Sequence, residues 1–263
     1  MKLKKPKQKG KSVNIALGSL IVCAAVLFSF SIYKIAGIVL EYSKGARAYS
    51  TIMSSAVESG GQTEGQDEKN AFQVIDFAKL YSINQDCAGW IQIPDTNINY
   101  PMVIGTDNDY YLRRTFEGES YIGGVIFVDY RCARDFSGRN TIIYGHHMND
   151  GTMFANLAKF TDVAYLEKHP QIYIYTPESL RVYEIFAACK TDILNSCYTI
   201  EFAGDDTFMR WAGEMQAQSI HDIGVPVSSA DEVITLSTCT NVNKADRYIV
   251  QAVLVESRAL PGA

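Results

Sequence analysis

Hydrophobic positions fall into three regimes along the 263 residues. From Ser12 to Tyr33 no residue is charged and most are apolar, and about 20 such residues are enough to cross a bilayer as a helix. A polar stretch follows, "SSAVESGGQTEGQDEKN", rich in Gly, Ser, Gln and Glu, a composition that cannot bury a core. In "AFQVIDFAKLYS" the residues Val74, Phe77, Ala78 and Tyr81 recur at i, i+3, i+4 and i+7, one face of a helix. From Gly89 onward the texture is that of strands. "GWIQIP", "YPMVI", "GGVIFVD", "NTIIYG", "QIYIYT", "RVYEIFAAC", "EVITLS" and "RYIVQAVLV" are short β-branched and aromatic runs separated by polar, Gly- or Pro-containing connections. Roughly eight strands of this kind predict a mostly β sandwich or closed barrel. Two helical inserts interrupt them. One is "GTMFANLAKF". The other is "DDTFMRWAGEMQAQS", where Phe208, Trp211, Ala212 and Met215 form a core-packing stripe and Asp205 or Asp206 is the expected cap.

This pattern divides the chain into a basic tail (1–12), a membrane anchor (13–40), a stalk (41–70) and a folded domain (71–258). Charge orients it. "MKLKKPKQKGK" carries six lysines and no acid, which predicts a cytoplasmic N-terminus and an extracellular remainder. A cleaved secretory signal is the competing reading, with "ARA" at 46–48 as its site. Both readings place the bulk of the chain outside the cytoplasm. The net charge of −5 shows no basic stripe, so no nucleic-acid partner is expected.

Outside the cytoplasm disulfides are permitted. Cys23 lies in the apolar span. Cys87, Cys132, Cys189 and Cys197 have no CxxC or metal-ligand spacing, although a Cys189–Cys197 bridge is possible. Cys239 differs from these. It ends a strand-like run within "TLSTCTN", among hydroxyl residues, a setting that presents a thiol. If the last two strands are antiparallel neighbours, the seven-residue connection "TNVNKAD" brings Cys239 to the same rim as Arg247. A salt bridge from Arg247 to Asp246 or another acid is the even alternative. His146 and His147 follow "NTIIYG", where a strand runs out at a glycine. Adjacent residues on extended chain point opposite ways and no third ligand follows, so no metal and no cofactor is expected. His169 reads as a turn and His221 as surface. A cysteine nucleophile must ionise, needs a proton donor for the leaving amine and needs donors for the oxyanion. Cys239, His146 and Arg247 offer these three functions.

"NTIIYGHHM", "TLSTCTN" and "DRYIVQAVL" together resemble a sortase of class B over about residues 70–256. The His–Cys separation of 239 − 146 = 93 residues is similar to that class. So are the Arg eight residues past the Cys, the N-terminal anchor, the helix before the barrel and the insert at 205–219. The resemblance implies an eight-stranded sortase β-barrel and a thiol-protease-like transpeptidase on the outer face of a Gram-positive-type membrane. Cys239 would attack the carbonyl after Thr in a C-terminal sorting pentapeptide of a surface protein. A thioester would form, and an amine of peptidoglycan would take the acyl group. His146, directly after the glycine, would move the protons, and Arg247 would hold the substrate backbone or the oxyanion. "TDNDYYLRRTF" resembles the class B segment lining the peptide groove, which points to Asn108 for peptide backbone and Leu112 for the proline end, with core packing as the alternative for Leu112. Ser237 shares Cys239's side of its strand and is a further substrate-binding candidate, as is Tyr198. Asn241 stands where some relatives carry an acid. Pilin polymerisation, simple hydrolysis and non-catalytic binding remain alternatives.

Overall fold

β-Branched and aromatic side chains pack well on a pleated, half-buried surface. In the computed structural model, which describes residues 10–58, 72–239 and 245–260, each of the eight predicted runs is a strand. They are β1 (Cys87–Gln92), β2 (Asn99–Val103), β3 (Ile126–Val128), β4 (Asn140–Tyr144), β5 (Gln171–Tyr175), β6 (Ser179–Asp192), β7 (Val233–Cys239) and β8 (Asp246–Ala259). They close into a barrel of order β8-β6-β5-β1-β2-β3-β4-β7. The pairs β2/β3 and β4/β7 are parallel and the other six antiparallel. Closure removes the sheet edges that would otherwise template aggregation.

Among the described residues there are four α-helices: α1 (Gly10–Ala56), α2 (Phe77–Ile83), α3 (Val163–Lys168) and α4 (Asp205–Gln218). The chain forms two units, Met1–Lys44 and Gly45–Ala263. In the first, α1 exposes Leu20, Leu27 and Phe28, and α1 holds an 18-residue window of mean hydropathy 2.0, long and apolar enough to cross a membrane. The basic tail before Gly10 lies outside the described residues.

In the second unit the expected stalk is replaced, up to Ala56, by packed helix. Tyr49, Ile52, Met53 and Ala56 join a core cluster with Phe77, Leu80, Trp90 and Tyr175. The Tyr49 hydroxyl donates to the Gly124 carbonyl at 2.7 Å. Residues 59–71, the rest of that segment, lie outside the described residues.

Three further local expectations are corrected. Val74 is not helical. It pairs with Glu58 in a two-stranded ribbon, and α2 starts later because the Asp76 carboxylate caps it, accepting the Lys79 N–H at 2.8 Å. "GTMFANLAKF" does not form an α-helix. Met153 has φ 55°, Phe154 N–H turns back to the His146 carbonyl, and a 3₁₀ turn (Ala155–Thr161) precedes α3. At α4 the cap is Gly204, whose N–H donates to Thr207 Oγ1, and Asp205 and Asp206 occupy the first turn, where the helix dipole favours acids.

The stripe Phe208, Trp211, Ala212 and Met215 packs on Phe186, Val233, Ile249 and Val253 of β6, β7 and β8. Cys189 and Cys197 sit in the same cluster as free thiols, so no bridge joins them. Burial pushes their pKa values up to about 11 and about 12.

Candidate active site

Strand ends supply the site. At the end of β7, Cys239 is the Cα partner of Arg247 at the start of β8, and Ser237 is the partner of Ile249. On the other side of β7, Ser237 is the partner of Tyr144, the last residue of β4. The Gly145 N–H donates to the Ser237 carbonyl at 3.1 Å, extending this ladder by one residue. A side chain cannot fit there. A Cβ on Gly145 would lie 2.6 Å from Ile126 Cδ1 and 2.7 Å from the Phe154 ring. The chain then leaves the barrel at His146.

The His146 ring is held from outside the barrel. Its Nε2 lies 2.7 Å from the Leu112 carbonyl oxygen. A carbonyl only accepts, so Nε2 carries the proton and Nδ1 is the basic nitrogen of the neutral ring. Burial lowers the His146 pKa below the usual 6.5. The Arg113 charge adds to this, and the Leu112 bond opposes it. Leu112 lies on a 3₁₀ turn (Tyr110–Arg113) that the N-terminal part of the domain fixes. The Tyr111 hydroxyl donates to Asp86 Oδ2 at 2.7 Å. Asn84 Nδ2 donates to the Tyr111 oxygen at 3.0 Å and to the Phe116 carbonyl at 2.8 Å.

One cleft of about 250 Å³ is lined by Asn108, Leu112, Tyr144, His146, Ser237 and Arg247, with Phe127, Gly145 and Thr238 completing it. Five of the residues singled out in the sequence therefore share a single pocket. Tyr198 reaches it indirectly. Its hydroxyl is 2.9 Å from Ser237 Oγ, and its ring stacks on Tyr144 with centroids 6.3 Å apart. Arg247 Nη1 donates to the Asp246 carbonyl at 2.9 Å, while the Asp246 carboxylate pairs with Lys190. The Cys239 side chain and Asn241 lie outside the described residues.

The other histidines are placed apart from this chemistry. The His147 ring lies 6.0 Å from that of Tyr248. His169, expected in a turn, ends α3 and is buried, with Nδ1 2.9 Å from the Pro94 carbonyl oxygen. His221 is half-buried against the Thr161 carbonyl. Among the described residues no three His, Cys, Asp or Glu side chains gather as a metal site.

A barrel of this order, with these motifs at one rim, has close relatives. The family profile described as "Sortase domain" matches residues 91–255. Sortase B of Listeria monocytogenes is 38% identical over 178 residues, covering 67% of this chain and 72% of the relative. The chain belongs to the class B sortases. The crystal structure of sortase B from Bacillus anthracis in complex with AAEK1 superposes with a TM-score of 0.71 at 31% identity, covering 83% of this chain and 99% of that one. The Staphylococcus aureus sortase B–substrate complex gives 0.66 at 32% identity, covering 69% and 85%. This sortase is accordingly a cysteine transpeptidase of the kind that sorts proteins to the cell wall.

Sequence reasoning missed two aromatic walls of this sortase's pocket and the buried acid behind them. Tyr144 and Phe127 line it, their rings 5.2 Å apart. Behind them lies Asp129, fully buried just past the end of β3. Its Oδ2 accepts from Asn108 Nδ2 and the Tyr144 hydroxyl, each at 3.0 Å. Arg131 grips the same carboxylate through Nε (2.9 Å), Nη2 (2.8 Å) and its backbone N–H (3.1 Å). Burial alone would raise the Asp129 pKa. The Arg131 and Asn108 hydrogen bonds outweigh it and hold the carboxyl below the usual range. The available signal was an acid closing the apolar run "GGVIFVD".

Proposed function

We propose that this sortase cleaves a C-terminal sorting pentapeptide after Thr and joins the new C-terminus to a peptidoglycan amine. The single observation that supports this is the shared cleft. His146, Arg247, Ser237 and Asn108 line it, and Cys239 ends the strand beside it, in register with Arg247. The Staphylococcus aureus relative, solved as a substrate complex, supports a peptide as the occupant.

In this reading the neutral His146 ring takes the Cys239 proton at Nδ1, and the thiolate attacks the Thr carbonyl. The C–N bond breaks, and His146 returns the proton to the leaving amine. The incoming amine then attacks the thioester. It gives its proton to His146, and the C–S bond breaks to release the Cys239 thiolate, which takes that proton back from His146. Arg247 stabilises the oxyanion with fixed N–H donors. Leu112 receives the proline end of the peptide, while Asn108, Ser237 and Tyr198 hold its backbone. The apolar helix with its lysine-rich leader anchors the enzyme with the N-terminus in the cytoplasm. The catalytic domain then faces the wall, next to its surface-protein substrates.

Residues 41–263 incubated with a Pro-x-Thr pentapeptide library and read by mass spectrometry test the proposal. Cleavage after Thr and an amine-dependent ligated product are expected. Cys239→Ala and His146→Ala should abolish both. Arg247→Ala should lower kcat/KM by roughly 10²–10³-fold, the effect of losing an oxyanion donor. Equal product with and without amine would make the enzyme a hydrolase. Loss with Cys197→Ala but not with Cys239→Ala would move the nucleophile.

A further inference from the structure

Taking a carboxylate out of water is costly unless it is paired and hydrogen-bonded. Asp129 is completely buried, yet its counter-ion Arg131 has a side chain half exposed to solvent. A surface ion pair alone does not require the acid to be interior. The contacts on Oδ2 account for its position. Asn108 and Tyr144 come from different parts of the chain, and each donates to this one oxygen while forming a wall of the cleft. The Asn108 amide is held at its other end too, its Oδ1 accepting the Tyr130 N–H at 3.1 Å. Its orientation is thereby fixed, and one amide hydrogen remains to face a ligand. Tyr144 passes the constraint on. Its ring stacks on Tyr198, whose hydroxyl meets Ser237.

We infer that Asp129 is a positioning residue for the peptide site, setting the orientation of Asn108 and Tyr144 for a substrate that it does not touch. A buried, fully satisfied polar network of this kind fixes one geometry where apolar packing would permit several. The alternative is that the Asp129 carboxylate serves only the turn after β3, accepting the Arg131 backbone N–H.

The inference rests on the peptide-cleaving reading, and the experiment separates the two. Asp129→Asn, Asn108→Ala and the double variant are compared for peptide kcat and KM. The rate of Cys239 alkylation by iodoacetamide and the side-chain amide resonances of Asn108 are followed in parallel. Asp129→Asn should raise KM by about tenfold, the worth of one charged buried hydrogen bond, and leave thiol alkylation within about twofold. Adding it to Asn108→Ala should cost little more, since the two act as one unit. Its Asn108 amide resonances should shift and lose protection from exchange. Fully additive losses, or a kcat/KM within about threefold of wild type, overturn the inference. If wild type cleaves no peptide, the transpeptidation reading fails, and the amide resonances alone decide the positioning role: unmoved by Asp129→Asn, they refute it. Should Asp129→Asn not fold, a Tyr144→Phe/Asn108→Ala cycle replaces it. Coupling of threefold or more through the shared carboxylate supports the inference, and strict additivity ends it.

Discussion

Ile52→Ala tests whether the helix before the barrel is a stalk or part of the core. Ile52 is 1% exposed and sits among Phe77, Leu80, Trp90 and Tyr175. Truncating a buried Ile or Leu to Ala costs about 2–5 kcal/mol, the transfer term plus the cavity left behind. Alanine returns about 0.4 kcal/mol through its better helix propensity, so the net loss is roughly 1.6–4.6 kcal/mol. In a unit of this size each 1 kcal/mol moves Tm by about 2–4 °C, and the expected drop is roughly 3–18 °C. Thr51 lies on the exposed side of the same turn, and Thr51→Ala should stay within about 0.5 kcal/mol. Thermal melts and urea midpoints on residues 45–263 measure both. The reasoning fails if Ile52→Ala cannot be told from Thr51→Ala, because residues 45–56 would then be tether.

Two more outcomes are expected. Burial holds the folded His146 pKa below 6.5, so an NMR titration should give a midpoint under that value. Between the folded pKa and 6.5 the unfolded chain binds a proton that the folded ring resists, so stability should fall on acidification through that window and His146→Gln should flatten it; a midpoint at or above 6.5 contradicts the burial argument. Cys189 and Cys197 are free, so Tm should not respond to dithiothreitol, and alkylation after unfolding without reductant should label both; a reductant-sensitive melt would show a bridge.

How much of this was legible depends on the range of the interactions involved. The eight strands were, because each carries its β-branched and aromatic residues locally, between Gly, Pro or polar breaks. Their closure was not, since the parallel pairs β2/β3 and β4/β7 join runs with no local signal for each other. Along β7 and β8 one seven-residue connection sets the register, so the Cys239–Arg247 pairing could be inferred from spacing. The helix at 45–56 was legible but overlooked. Tyr49, Ile52, Met53 and Ala56 repeat at i, i+3, i+4 and i+7, and the polar composition of the residues beyond outweighed that stripe.

The pocket divides along the same line. His146, Ser237 and Arg247 sit at or just past strand ends, where the chain must present side chains whatever surrounds it. Asn108 and Leu112 rested on a resemblance, and their environment could not be read: the Leu112 carbonyl meets His146 across 34 residues and Asn108 meets Asp129 across 21. Tyr144 ends β4 as plainly as any of them, yet a tyrosine in an apolar run reads as core. Only the buried acid behind it explains why a hydroxyl is needed there, because an aromatic ring alone would pack as well as phenylalanine but could not donate to Asp129. The local sequence therefore points to the groups proposed to do chemistry, while the network proposed to aim the pocket emerges only when the fold brings distant residues onto one carboxylate.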